Sequence, residues 1–383
     1  MKYVMPAFLQ KFRCLEEGYC CHRWNISVSP KELETILANL KTIPQKDWPQ
    51  GCGFETIQDD NGKITDVYTK TCENRCSFLV DKKCFLHANF GLEGKPIICQ
   101  SYPFYALKTP NLSYINASMA CPCTLQMLLE KNDFTLVNPA RSVGNKFSLK
   151  ADLQHVKTVQ ITEKVSTNWQ GFYHIHKKLL RNYNDSAFLA HVWSFFTKTP
   201  QEYFTFEQIK DVCEQPYNTP EFSEQKHLYY TLLGWQLWYQ ENSGDDEVSP
   251  VISYFLDYLG ISDIENIPPV ATQKYFSLYR EYFSQQEIVE VMENYFFILL
   301  FSSELYFTDN IAQALCYLSL AVSLATFCVV AQLGDSQQPI QRENVLDAIY
   351  VIEKFFFHSD YFADIDNLHV PPHILLPPKV ENS

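Results

Sequence analysis

Apolar and aromatic residues recur at intervals of three and four between about residues 150 and 365, the spacing that lines one face of a helix. That spacing predicts helices over 167–182, 187–197, 206–213, 223–239, 251–259, 271–283, 286–302, 311–333 and 342–357. Leu228, Leu232, Trp235 and Tyr239, with Trp238 beside them, form one such stripe and read as core. His174 and His176 point two ways from their helix and are expected at the surface. From His369 onward, Pro371, Pro372, Pro377 and Pro378 mark a tail expected to lie extended on the surface or disordered.

The first 128 residues have a different texture, with short elements broken by turns. Ser29-Pro30-Lys31-Glu32 opens a helix that reaches about Leu40: Ser29 caps the free amides, Pro30 suits the first helical position, and Glu32 and Glu34 lie near the positive end of the dipole. Residues 54–68 alternate weakly about Asp60-Asn61-Gly62, a hairpin signal. A tighter hairpin is expected about Asp81-Lys82-Lys83, and residues 112–119 read as a strand that delivers Cys121. Together these elements predict an α+β fold. A small metal-stapled domain is expected over 1–130, a mainly helical domain over 150–365 and a Pro-rich tail over 366–383.

Segment 311–333 carries no charge and is long enough to span a bilayer. Gln313, Ser319, Ser323, Thr326 and Gln332 dilute its apolarity, however, and its flanks, Asp309 and Asp335, are acidic. It reads as a buried central helix, and no membrane partner is expected.

Composition then narrows the function. The chain is 46% hydrophobic and 15% aromatic, as a folded globule should be. A net charge of −13, with no basic cluster beyond Lys177, Lys178 and Arg181, argues against a nucleic-acid partner. Ten of the thirteen cysteines precede residue 124. The stretch 1–12 is too short in its apolar run, and too soon interrupted by Pro6, to be a signal-peptide core. The chain is therefore expected in the cytoplasm, where clustered cysteines serve as metal ligands or redox groups rather than as disulfides.

Thiolates are soft ligands that select zinc, copper(I) or iron–sulfur clusters. Cys72-x3-Cys76 is the one well-formed knuckle of the zinc type; Cys121-x-Cys123 is too tight to chelate easily, and adjacent Cys20-Cys21 is unusual for zinc. The ferredoxin run C-x2-C-x2-C is absent. Spacing alone thus points to a metal and leaves its identity open.

The order Phe12-x-Cys14-x5-Cys20-Cys21-x2-Trp24-x-Ile26, then Cys76-Ser-Phe-Leu-x4-Cys84, Lys95-Pro96-x2-Cys99-x2-Tyr102-Pro103-Phe104 and Met119-Ala120-Cys121-Pro122, resembles the YkgJ-type zinc- or iron-chelating cysteine-cluster proteins. More closely, it resembles their FliB branch, the flagellin lysine N-methylases. The match covers about residues 5–125. It implies that Cys14, Cys20, Cys21, Cys76, Cys84, Cys99 and Cys121 ligate an iron–sulfur cluster, of the 4Fe–4S kind, or zinc. Cys72 and Cys123 rank behind them, and Cys52, Cys213, Cys316 and Cys328 read as small buried hydrophobes. His22 and His87 adjoin cysteine positions and read as part-exposed histidines within reach of a sulfur or metal. Tyr102-Pro103-Phe104 reads as packing over the site. The superfamily signature is C-x2-C-x2-CC, and here Glu17 stands where the second cysteine would be. A carboxylate ligates zinc or iron, whereas iron–sulfur clusters are held by thiolates.

The FliB resemblance further implies methyl transfer from S-adenosylmethionine to the lysine amines of a protein partner. The residues show no familiar adenosylmethionine loop: Gly51-Cys52-Gly53 follows Trp48-Pro49 rather than a strand. No C-x3-C-x2-C run of the radical class is present. Two alternatives stand beside the enzyme, a non-catalytic zinc- or iron-binding interaction module and a redox or iron sensor.

Overall fold

Capping decides where the first helix begins. Ser29 and Glu32 form a capping box, each side chain satisfying the other's backbone amide, and Pro30 occupies the first turn of α1 (Pro30–Leu40). The computed structural model describes residues 2–15, 18–22, 25–59, 61–73, 75–130, 135–138, 148–242, 249–302, 310–334, 339–353 and 370–376. The fold is mixed, helices with several small sheets, and the chain divides into two compact units. The first comprises residues 1–127 and 133–153, the second residues 128–132 and 154–383.

In the first unit the strands are β1 (Lys2–Pro6), β2 (Phe54–Gln58), β3 (Ile64–Thr69), β4 (Thr71–Cys72), β5 (Arg75–Cys76), β6 (Leu79–Val80), β7 (Lys83–Cys84), β8 (Phe104–Lys108), β9 (Leu112–Ala117), β10 (Leu136–Val137) and β11 (Ser148–Asp152). Both hairpins expected from turn signals are present. β2 pairs with β3 across the turn at Gly62, and β6 pairs with β7 across Asp81 and Lys82, both at positive φ. Five strands form a sheet in the order β10-β1-β9-β8-β11, in which β1 runs parallel to β9 and β11 parallel to β8. Three short helices, α2 (Phe85–Phe90), α3 (Ile97–Ser101) and α4 (Pro122–Gln126), complete the unit. A separate apolar cluster of Val28, Ile36, Leu40, Val67, Phe78 and Leu86 gathers α1, α2 and the hairpins.

The second unit holds α5 (Trp169–Arg181), α6 (Ser186–Lys198), α7 (Phe206–Glu214), α8 (Glu224–Asn242), α9 (Ser249–Leu259), α10 (Pro269–Tyr282), α11 (Gln286–Ser302), α12 (Ile311–Leu333), α13 (Arg342–Val351) and α14 (Pro372–Leu375). Small strands β12 (Thr158–Gln160), β13 (Ser166–Asn168) and β14 (Tyr203–Phe204) pair beside α5. α12 is the one described helix long and apolar enough to cross a membrane, and its apolar window is wholly buried. Helices α6, α8, α9, α10, α11, α13 and α14 pack around it, which accounts for its apolarity as a core element.

Two expectations are corrected here. His176 is core: its ring stacks on Phe172 and its Nε2 lies 3.1 Å from the Leu300 carbonyl. Residues two apart on a helix are about 200° apart, so His174 and His176 do not share a face, and the apolar face of Phe172, Ile175 and Leu179 takes His176 inward. The tail is not wholly at the surface either. Val370, Pro372 and Leu375 are buried, and the Ile374 carbonyl lies 2.9 Å from His227 Nδ1.

Candidate functional site

Local turns and ladders set the positions of Cys20, Cys21, Cys76 and Cys84. Gly18, at φ +73°, leads into a 3-10 turn that carries Cys20 and Cys21, with the Cys21 amide donating to the Gly18 carbonyl at 2.9 Å. A Cβ on Gly18 would meet Leu79 Cδ1 at 2.8 Å and the Lys82 carbonyl oxygen at 2.9 Å. Only glycine therefore lets this turn lie against the β6–β7 hairpin. His22 bridges to Arg75 in antiparallel fashion, which fixes the turn beside β5 and its Cys76. Cys84 closes β7 and stands at the N-cap of α2, where Phe85 donates its amide to the Phe78 carbonyl at 2.8 Å.

Cys76 belongs to the apolar cluster of the unit, and Cys21, Cys52 and Cys84 pack against it. The remaining thiol of the group, Cys99, sits half-buried at the middle of α3. The thiols are coupled through their charges as well. Of the adjacent pair, Cys20 ionises first, lowered to about 6 by a hydrogen bond from the Cys21 thiol. Burial opposes that shift and the Lys95 ammonium assists it. Cys21, left holding the proton, is pushed up by the same bond and by burial. Burial also pushes Cys76 up, and Cys99 to about 12; for Cys99, Lys95 works the other way while Cys76, Cys84 and Cys20 add to the rise. Among the seven cysteines that the resemblance implied, Cys20, Cys76 and Cys84 thus act on both Cys21 and Cys99.

The other two lie in a second setting. Burial pushes Cys121 to about 12, with Thr124 and Cys123 as its described neighbours. Cys14 is exposed, and the next residue, Leu15, donates its amide to Cys123 Sγ at 3.3 Å. Cys72 is exposed, Cys52 is half-buried, and Cys213, Cys316 and Cys328 are buried in the helical unit as small hydrophobes. His22 and His87 are exposed. Glu17 and Trp24 lie outside the described residues. None of the thirteen cysteines is joined in a disulfide.

Chemically, the donor set suits a soft metal: Cys21, Cys76 and Cys84 lie on an apolar cluster, Cys20 and Cys99 are their electrostatic neighbours, and a lysine ammonium is near enough to offset thiolate charge. Geometrically, no three His, Cys, Asp or Glu side chains among the described residues gather closely enough to hold a metal ion. Sequence reasoning missed two contributors: Gly18 was not singled out, and Lys95 was legible only as part of a motif.

The Flagellar biosynthetic protein FliU of Salmonella muenchen is 21% identical to this chain over 164 residues, which are 41% of this chain and 94% of that protein. No family model matches the chain, and no solved structure matches it.

Proposed function

We propose that the first unit is a thiolate site for an iron–sulfur cluster or zinc, in a protein that acts on a flagellar partner as the FliB-type methylases do. The observation that carries this reading is that Cys21, Cys76 and Cys84 share one apolar cluster while Cys20, Cys76 and Cys84 act electrostatically on both Cys21 and Cys99. Cys14 and Cys121 are the remaining ligands in this proposal. A bound cluster would supply thiolate cross-linking of segments that share little apolar core, and its binding free energy would add to folding.

The chain's own residues prepare the site in three ways. Gly18 seats the Cys20–Cys21 turn, the hairpin at Asp81 and Lys82 presents Cys84, and Lys95 offsets the negative charge of deprotonated sulfur. The likeness to FliU supports a flagellar protein as the partner, and the FliB resemblance supports lysine methylation as the reaction. In that reaction a neutral lysine amine attacks the methyl carbon of S-adenosylmethionine, the carbon–sulfur bond breaks, and the amine gives up a proton.

Anaerobic purification followed by an absorption spectrum and analysis for iron, sulfide and zinc tests the site. Iron with matched sulfide, or stoichiometric zinc, supports it; a protein with neither overturns it. Incubation with S-adenosylmethionine and a lysine-bearing flagellin, read by mass spectrometry, tests the reaction. Metal without methyl transfer would replace the enzyme with a non-catalytic interaction module.

A further inference from the structure

α3 carries Cys99, and the helix is buried unevenly. Its five residues bury only Ser101, while Ile97 and Ile98 remain 56% and 43% exposed. Its N-cap is Pro96, which supplies no side-chain acceptor for the free amides of the first turn. The acceptor comes instead from a residue 65 positions earlier in the chain. The Ile97 amide donates to Glu32 Oε1 at 2.6 Å. The other oxygen of the same carboxylate, Oε2, accepts from the Ser29 amide at 2.9 Å and from the Ser29 hydroxyl. One carboxylate thus caps two helices at once, its own and the one that bears Cys99. Part-burial works against the charge on Glu32, but the hydrogen bonds from Ser29 and Ile97 outweigh it and hold the carboxyl below its ordinary value.

We infer that Glu32 is a positioning residue for the thiol site, a two-helix clamp that fixes Cys99 against the Cys20, Cys76 and Cys84 group by capping α3 from α1. A cap normally comes from the residue that begins its own helix. Here the acceptor is supplied across the fold, so the loss of Glu32 frees α3 as well as fraying α1. The two roles separate by mutation. Ser29→Ala removes the hydroxyl that caps α1 and leaves the Glu32–Ile97 bond in place. Glu32→Ala removes the acceptor of the Ile97 amide while the Ser29 hydroxyl still accepts from the amide of residue 32, and Glu32→Gln keeps an acceptor oxygen for Ile97 without the charge.

The clamp's functional weight rests on the thiol-site reading, while its geometry does not. The full-length protein is therefore assayed two ways without metal: hydrogen exchange of the Ile97–Ser101 segment, and iodoacetamide labelling of individual cysteines by mass spectrometry. Glu32→Ala should raise both segment exchange and Cys99 labelling about tenfold, the factor carried by one charge-assisted hydrogen bond. Cys76 labelling should hold constant, Ser29→Ala should leave Cys99 at the native rate, and Glu32→Gln should restore most of the protection. Unchanged Cys99 labelling in Glu32→Ala overturns the clamp, as does an equal rise in Ser29→Ala, which would trace the effect to α1 alone. Cobalt(II) titration, followed through the thiolate-to-metal band, then asks the separate question of function. Weaker binding in Glu32→Ala with recovery in Glu32→Gln supports the positioning role. Failure of the native protein to bind cobalt or any other metal overturns the thiol-site reading, and the clamp is then decided by exchange and labelling.

Discussion

Two buried histidines of the helical unit illustrate how one residue's surroundings set a solution property. His176 Nε2 faces the Leu300 carbonyl and His227 Nδ1 faces the Ile374 carbonyl; a carbonyl only accepts, so each facing nitrogen carries the hydrogen. Burial lowers both rings to about 4, despite the opposing help of those carbonyls. In the unfolded chain each ring titrates near an ordinary 6.5. Above that pH both states are neutral and the stabilisation is complete. As pH falls from 6.5 towards 4, the unfolded chain gains protons that the folded one refuses, so stability drops. The loss is about 3 kcal/mol per histidine, at ~1.4 kcal/mol per tenfold change in proton affinity. The double variant His176→Gln/His227→Gln should show a flatter fall in urea-unfolding free energy between pH 6.5 and 4 than the native protein. Equal slopes would mean that these rings do not carry the dependence. His176 was misread from sequence because alternation along the chain does not say which of two helix faces is covered.

At the scale of elements, the long helices were legible and the sheet was not. The amphipathic spacing located α5 to α12 and the start of α13 to within a few residues, because a helix is defined by neighbours three and four apart, while residues 354–357 of the last expected helix lie outside the described residues. The five-strand sheet joins β1 to β9 and β11 to β8, partners separated by tens of residues, and no local pattern encodes such pairings. The β4–β5 and β6–β7 ladders are two residues long, too short to show alternation, although turn signals found the second. The helical elements also carry a constraint that periodicity does not show. A Cβ on Gly171 would lie 2.2 Å from Thr167 Oγ1 and 3.2 Å from Ile209 Cγ1. Thr167 is buried and committed to the Phe204 carbonyl at 2.8 Å, so it has nowhere to retreat. Gly171 is thus the point at which the first turn of α5 passes close to β13 and α7. Gly171→Ala should destabilise the unit by about 1–3 kcal/mol, the usual cost of overpacking, even though alanine is the better helix former. Thermal denaturation measures it, and a gain in stability would show that the contact relaxes freely.

Over the whole chain, what the sequence made legible was the kind of chemistry rather than its assembly. The order of cysteines marked the first unit as the thiol-bearing one. The apolar floor beneath them, the Lys95 charge and the Glu32 clamp arise from contacts between segments and have no signature in spacing. The same limit explains the misjudged tail. Proline richness suggested a surface segment, but Pro371 and Pro372 instead start the short helix α14, which docks on α6, α8 and α12. Three contacts tie this segment down: Val370 and Leu375 are buried, the Val370 backbone hydrogen-bonds the Cys316 thiol, and Ile374 engages His227. Cys316 lies on α12, at the centre of the helical unit. Deleting residues 370–383 would uncover that face of α12 and leave the His227 ring nitrogen without its acceptor. Burial of Val370 and Leu375 alone is worth about 1.5–3 kcal/mol for each side chain, and a stranded buried donor adds about 1–3 kcal/mol. The truncated protein should therefore melt at lower temperature, and Cys316, buried in the native chain, should become reactive to a thiol reagent at native pH. Cysteine-resolved labelling separates the two outcomes. Reactive Cys316 with unchanged labelling at Cys76 and Cys84 places the segment as a structural part of the helical unit. Silent Cys316 in a truncated chain of native stability would make the segment dispensable to the fold.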